Sequence, residues 1–346
     1  TGQAIRRLSG QTDTLPAGLH DPVGHVDAVM AVAFSPDGQK AISSSQDGTT
    51  MIWDLQTGEP TGFLQAPEGG LSSMAVSPDG HSVLLGMLDD GIVVLDLAEG
   101  DRALQFRGHK GPVLAVAFGP DGRQGLSGSS DGTLRVWDLQ SGAEIRHLHD
   151  ESFGASVDIS ADGRIGLTVA RDGSLWLWDY ETGAMGHRLT GKPQALLTGA
   201  RFTPDGKAVV VGDSALPGSS LDNTVRLWSV ATGEEIWRFE GHTDTVWDVA
   251  AGPEGRYAVS GSQDGTLRLW DLGKGTGDIL RDFGPQAVRS VAFGPDGLTL
   301  LVGLARGASG RPDTSLHLVD RFTGKEIRRF EGHEESVTDL AFSPDG

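Results

Sequence analysis

Ser, His and Asp together can make a base-activated nucleophile, and this chain repeats that combination three times. His25 stands with Ser45 and Asp47, His109 with Ser129 and Asp131, and His242 with Ser262 and Asp264. A Trp follows each set: Trp53, Trp137 and Trp270. An active site is needed once, so three copies point to bracing rather than hydrolysis. Other chemical signatures fail on spacing. Gly186-His187-Arg188-Leu189-Thr190-Gly191-Lys192 imitates a phosphate loop, but Pro193 stands where Ser or Thr should hold magnesium, and no helical pattern follows. His147-Leu148-His149-Asp150 lacks a further ligand set and reads as a solvated loop. The 346 residues contain no Cys, which excludes disulfides, thiolate metal sites and Cys nucleophiles. No catalytic residue, metal or cofactor is assigned.

The elements that must position these residues are repeats. Ser35-Pro36-Asp37-Gly38 returns in variants ending at Gly80, Gly122, Gly163, Gly206, Gly255, Gly297 and Gly346. A second signal comprises Trp53-Asp54, Leu95-Asp96, Trp137-Asp138, Trp178-Asp179, Trp228-Ser229, Trp270-Asp271 and Val319-Asp320. Gly-His recurs at His25, His109, His242 and His333. Between these signals apolar residues alternate with period two, which predicts strands and no amphipathic helix. The third unit reads as strands at 112–118, 123–129, 133–138 and 143–148. Pro-Asp-Gly suits the first turn, and Asp-Gly at 47–48, 131–132, 172–173 and 264–265 suits the following hairpin. Glycine, 51 residues, is therefore turn chemistry.

In order and spacing these elements resemble the WD40 repeat, across essentially the whole chain. The resemblance implies an all-β propeller of four-stranded antiparallel blades, with seven blades and strand overhangs favoured over eight blades with one incomplete. Seven units fill 25–330. Residues 1–8 match the outer-strand pattern of 323–330, and 331–346 read as the truncated start of an eighth unit, so the array is expected to be a fragment. Residues 9–24 are a connector or a surface loop. In the family a His, a strand hydroxyl, the hairpin Asp and the Trp form a hydrogen-bonded network. The three sets above match it, with neighbouring serines as alternatives to Ser45, Ser129 and Ser262. Units without the aligned His are expected to be more weakly braced.

Two departures stand out. The hairpins of units 5 and 7 gain residues, Asp213–Ser220 and Ala305–Pro312, on either side of unit 6. In the family this hairpin lies on the top face, beside the channel mouth. The resemblance implies a non-catalytic interaction scaffold holding a protein or peptide there. The candidate contacts are Gln46, Ser130, Arg171, Leu216, Asp244, Trp247, Gln263, Arg306 and Arg311, with Trp247 either an anchor or channel lining. Repeat regions of this kind are similar to those fused to other domains in bacterial signalling proteins, and Arg over Lys by 22 to 6 suits a GC-rich source. The alternatives are an enzyme using the channel mouth and a purely structural spacer. A net charge of −19 disfavours nucleic acid, and no apolar run suggests membrane insertion or a signal peptide, which points to the cytoplasm. The three repeated turn signals account for 21 of the 47 acids, leaving 26 against 28 cations. Most of the acidity is therefore architectural, and an acidic bottom rim is expected beneath a more neutral top.

Overall fold

The structure is a computed structural model that describes residues 25, 27, 29–65, 70–97, 103–153, 156–169, 174–190, 196–214, 223–305, 315–330, 336, 337 and 339–343. Each repeat folds as four antiparallel strands in chain order. In blade 1 they are Val29–Phe34, Lys40–Ser45, Thr49–Asp54 and Pro60–Gln65. Seven such sheets follow one another at 29–65, 71–107, 113–153, 156–190, 196–239, 246–282 and 287–330, making a seven-bladed β-propeller with no helix among the described residues. The third unit's strands fall at Val113–Phe118, Gln124–Ser129, Gly132–Asp138 and Glu144–Phe153. The last therefore runs longer than its apolar pattern.

The turns explain the acids. Ser35 Oγ donates to Asp37 Oδ1 at 2.6 Å, the Gln39 N–H donates to the same oxygen at 3.0 Å, and Gly38 takes φ 65°. Only a residue without Cβ adopts that φ freely. At the third-to-fourth turn Asp54 accepts the Thr57 N–H at 2.6 Å and its hydroxyl at 3.0 Å. Asp138 with Ser141, Asp179 with Thr182 and Asp320 with Thr323 repeat the arrangement. These donors hold the carboxyls of Asp37, Asp138, Asp179 and Asp320 below the usual range. Chain order places the first and third turns of every blade at one end of the sheet and the second-to-third hairpin at the other.

The core lies between blades. In blade 5 the second strand, Ala208–Ser214, sends Val209 and Val211 into a seam with blade 4 and Ala208 and Val210 into a seam with blade 6. In blade 2 Leu84 packs toward blade 3, and Val83 and Leu85 toward blade 1. A two-residue period thus feeds two neighbours, so no blade buries its central strands alone. The inner strands meet closely. A Cβ on Gly86 would stand 3.0 Å from Val113 Cγ1, on Gly212 2.9 Å from Val246 Cγ1, and on Gly261 2.4 Å from Val288 Cγ1. Each contact joins one blade's second strand to the next blade's inner strand.

Because Leu84 fills a seam between two blades, Leu84→Ala should cost about 2–5 kcal/mol. Ile327→Ala on an exposed outer strand should stay within about 0.5 kcal/mol. Urea unfolding measures both, and equal effects would contradict a core placed in the seams.

Candidate functional site

The repeated Ser-His-Asp sets resolve into proton chains. In blade 3 Trp137 Nε1–H donates to Ser127 Oγ at 2.8 Å, and Ser127 Oγ lies 2.7 Å from His109 Nε2. His109 Nδ1 lies 3.2 Å from Asp131 Oδ2. The serine oxygen accepts from Trp and donates its own proton to Nε2, which leaves a neutral imidazole with Nδ1–H toward the carboxylate. Burial holds His109 and His25 below the ordinary histidine value, consistent with that neutral form. Burial by itself would raise Asp131, but hydrogen bonds from Thr133 and the Lys110 N–H outweigh it and bring the carboxyl down to about 2. Blade 6 repeats the chain through Trp270, Ser260, His242 and Asp264 at 2.8, 2.7 and 2.9 Å. In blade 1 Trp53 donates to Ser43 at 2.9 Å, Ser43 meets His25 Nε2 at 2.7 Å, and Thr49 bridges His25 Nδ1 to Asp47 at 2.6 and 2.5 Å.

Ser45, Ser129 and Ser262 are not the hydroxyls of these chains; Ser43, Ser127 and Ser260 are. All six sit on the second strand with period two, but Trp53 pairs across the ladder with Ala41, so its indole reaches Ser43 first. Ser45, Ser129 and Ser262 instead fasten the hairpins, donating to Asp27 O, Gly111 O and Asp244 O. Ser127 and Ser260 are fully buried, so no substrate reaches their oxygens.

Blades without the aligned His are not uniformly looser. Blade 5 carries a buried ion pair, Arg226 Nη2 to Asp213 Oδ2 at 2.9 Å, with Glu235 3.6 Å from Nη1. Blade 7 uses His317, bonded to Ser315 at 2.8 Å and Glu326 at 2.7 Å. Arg226 and His317 occupy the place two residues before the Trp-Asp position, which the motif leaves variable. Asp213 and Ala305 also belong to strands, Ala208–Ser214 and Thr299–Ala305, so the two hairpin insertions begin after them. Gly186–Thr190 of the phosphate-loop imitation lie in the strand Met185–Thr190, and His147 bonds Glu144 at 3.0 Å. Among the described residues no group of three His, Asp or Glu could hold a metal.

Of the nine proposed contact residues, Arg171, Leu216, Arg306 and Arg311 lie outside the described residues. Gln46 and Ser130 directly follow the second strands of blades 1 and 3, at the start of the hairpin, with Gln46 exposed. Leu88, 39% exposed, holds the equivalent place in blade 2. Asp244 is exposed and caps the Thr245 N–H at 2.7 Å. The structure joins Trp247 to Gln263 through an Nε1–H to Oε1 bond of 2.9 Å. Sequence reasoning missed the third member, Arg289, whose guanidinium lies 3.9 Å over the Trp247 ring. A repeat alignment carries the signal, because Arg289 holds the place in blade 7 that Trp247 holds in blade 6. Both fall at register breaks, between Val246 and Asp248 and between Val288 and Ser290. A bulge re-aims the extra side chain, here toward the hairpin end of the channel. Among the described residues the half-buried Arg289 makes no hydrogen bond or ion pair. Burial lowers its pKa, against the pull of Asp248.

Deeper in the channel, Asp158, Asp248 and Asp339 share the field of Arg201. Desolvation raises all three carboxyls. Each accepts the following residue's N–H on one oxygen, at 2.9 Å in every case, and a neighbouring strand's N–H on the other: Phe202 at 3.4 Å, Val291 at 3.0 Å and Val32 at 3.1 Å. They clamp strand to strand.

Four-stranded sheets stacked around a channel and braced by Trp-Ser-His-Asp chains define a Trp-Asp-repeat propeller. The family described as "WD domain, G-beta repeat" matches residues 19–54, 100–138, 183–229, 233–271 and 324–346, just over half of the chain. The chain belongs to the WD40 repeat family. It is similar to the nuclear distribution protein PAC1 of Coccidioides posadasii, 38% identical over 66 residues, and to a Notchless protein homolog of Arabidopsis thaliana, 51% over 37. It is also similar to the small ribosomal subunit protein RACK1 of Neurospora crassa, 51% identical over 35 residues. These matches cover 19%, 11% and 10% of the chain, and 14%, 8% and 11% of those proteins. Among solved structures, the computationally designed protein Ika8 shares 26% identity at TM-score 0.77, with 92% of each chain covered. Among the described residues no helix is long and apolar enough to cross a membrane.

The brace makes stability pH-dependent with a defined sign. A buried neutral His with a lowered pKa favours the unfolded, protonated chain as pH falls below about 6.5, and depressed Asp carboxyls add a loss from about pH 4 downward, ending for Asp131 near pH 2. His109→Ala should remove the first part for blade 3 and cost about 1–3 kcal/mol at neutral pH, by leaving Ser127 and Asp131 without their partner. Asp213→Ala, which strands a buried guanidinium, should cost about 3–5 kcal/mol. Thermal unfolding at pH 7 and pH 5 reads both.

Proposed function

We propose that this propeller is a non-catalytic platform that binds a protein or peptide on the face carrying the second-to-third hairpins. The observation that carries the reading is the Trp247–Arg289 stack. Trp247 is held by Gln263, and the Arg289 donors are partly desolvated and make no hydrogen bond or ion pair among the described residues, an arrangement suited to receiving a carboxylate-bearing segment. By their place in the repeat, the longer second-to-third hairpins of units 5 and 7, on either side of unit 6 in the sequence, belong to the same reading. Gln46, Leu88 and Ser130 continue the same face. Fusion to other domains of a bacterial signalling protein, within the cytoplasm, belongs to the same reading and rests on the repeat resemblance.

An enzyme would need free acid or base groups in the channel, and the Asp158, Asp248 and Asp339 cluster is the place to seek them. Both oxygens of each carboxylate are occupied by backbone N–H donors, which supports a clamping role. A spacer array would have no reason to stack a guanidinium that is unpaired among the described residues on an oriented Trp.

Partner capture by the full chain, quantified by crosslinking, should fall at least tenfold in Trp247→Ala/Arg289→Gln, with circular dichroism and melting unchanged. Removing 215–220 together with 306–311, which spares Asp213 and Ala305, should do the same. Unchanged capture by both variants would eliminate this face as the binding site.

A further inference from the structure

At the end opposite the second-to-third hairpin, every blade makes the same backbone bond. The residue after the Trp-Asp position donates its N–H to the carbonyl of the residue after Pro-Asp-Gly: Leu55 to Gln39 in blade 1 and Arg321 to Leu298 in blade 7, both at 2.9 Å. The backbone is shared, and the side chains of blade 7 are not. At the place of Leu298 the other units carry Gln39, His81, Arg123, Arg164, Lys207 and Arg256, all polar. At the place of Phe322 they carry Gln56, Ala98, Gln140, Glu181, Ala231 and Gly273. Leu298 is 48% exposed and Phe322 66%. Between them Arg321 is buried where the other units have Leu, Tyr or Val. Its guanidinium lies 4.5 Å over the Phe322 ring and 4.7 Å over Tyr257 of blade 6, and it is bonded to Glu254. Glu254 is itself a departure, since the equivalent turns carry Asp. Arg256 lies 5.1 Å over the same Tyr257 ring and meets Asp271 at 3.4 Å. Phe322, Arg321, Tyr257 and Arg256 thus alternate ring and cation across the seam between blades 6 and 7. Departures scattered along the sequence adjoin in space, which random drift would not arrange.

We propose that this end of blades 6 and 7 is a second docking surface, and that its occupant is a basic protein segment with an Arg over Phe322 and an apolar neighbour on Leu298. Both cations of the stack are already paired, Arg321 with Glu254 and Arg256 with Asp271, so neither is left to receive an acid or a phosphate. The charge left over is negative. Asp296 and Asp320 each spend Oδ1 on turn donors, and among the described residues Oδ2 of each accepts none. Together with Glu254 they share the field of the single Arg321 cation. Lys325, exposed in the same turn, makes no ion pair with them among the described residues. Turn acids occur in every blade; an exposed ring between them occurs in this one. A guanidinium lies flat on such a ring and offers its fork to two carboxylates at once, which a compact ammonium does not. The segment therefore carries Arg rather than Lys. A second copy of the chain is a poor occupant, because two bodies of net charge −19 repel. The surface lies at the other end of the blades from the Trp247–Arg289 pair and selects the opposite charge, so the two can be filled together.

The probe is the fluorescein-labelled peptide Gly-Ser-Leu-Arg-Leu-Arg-Ser-Gly, added to the full chain at physiological ionic strength. Saturable anisotropy binding is expected. Phe322→Gln/Leu298→Gln gives blade 7 the residues of blade 1 at both places and leaves the net charge unchanged. It should weaken binding at least tenfold, and because both positions are exposed the melting should not move. Phe322→Tyr, which keeps the ring, should bind as the parent does. The peptide with Lys for Arg should bind at least threefold more weakly, and the peptide with Glu for Arg not at all. Four results would each overturn the proposal: no saturable binding, equal binding by the double Gln variant (the outcome of attraction to net charge alone), equal binding of the Lys peptide, or self-association of the parent that the double variant abolishes. Trp247→Ala should not affect this peptide, so the outcome is independent of the face proposed for partner binding.

Discussion

Everything in this molecule follows from central strands that are apolar on both faces. Val209 and Val211 serve one seam while Ala208 and Val210 serve another, so a single blade has two dry surfaces and no means of covering either. The chain meets the constraint by repetition, each blade acting as the core of its neighbours. A ring is the arrangement in which no seam is left exposed to water. The glycines at 86, 212 and 261 are a consequence, since each makes room for the valine of the next inner strand.

Stacked sheets of this kind are held by dispersion and hydrophobic burial, which have little directional preference. Direction comes from the polar chains. Trp137, Ser127, His109 and Asp131 tie the third strand, the second strand, the segment before the inner strand and the hairpin into one unit. The same task is done in blade 5 by Arg226 with Asp213, and in blade 7 by His317 with Ser315 and Glu326. What is preserved is a fully bonded polar group between strands, with its residue types exchanged. A buried polar group that is fully satisfied selects one register, and one left unsatisfied costs free energy, so a partial set is the worst outcome. The acids at the turns work in the same way at the surface. Asp37, Asp54 and Asp138 are spent on backbone N–H and hydroxyl donors. They are scarcely available to attract a partner, whatever the net charge.

Against that background the Trp247–Arg289 pair is set apart by what it does not hold together. Asp248, close by, spends both oxygens on backbone amides. Arg289 spends its charge on the face of one ring. Bulges at the same point of successive inner strands bring two residues a full repeat apart into contact, so the stacked pair arises from the repeat geometry with no change to the scaffold.

The propeller class, the four strands per unit, the turns and the source of the acidity were legible in the sequence, because each depends on local chemistry. Period two makes strands, Pro-Asp-Gly and Asp-Gly make turns, and recurrence makes blades. The hydroxyl partner was not legible: Ser43 and Ser45 share a strand face, and only the cross-strand register of Trp53 with Ala41 chooses between them. The Arg226–Asp213 pair escaped notice because its members lie on different strands and match no motif. Arg289 looked like any surface arginine until the bulge turned it onto Trp247. Sequence by itself determined what each segment becomes, because secondary structure and turns are set by neighbours along the chain. Tertiary structure decided which side chains meet, because contacts between strands and between blades depend on register and seam packing, which residues far apart in the chain settle jointly.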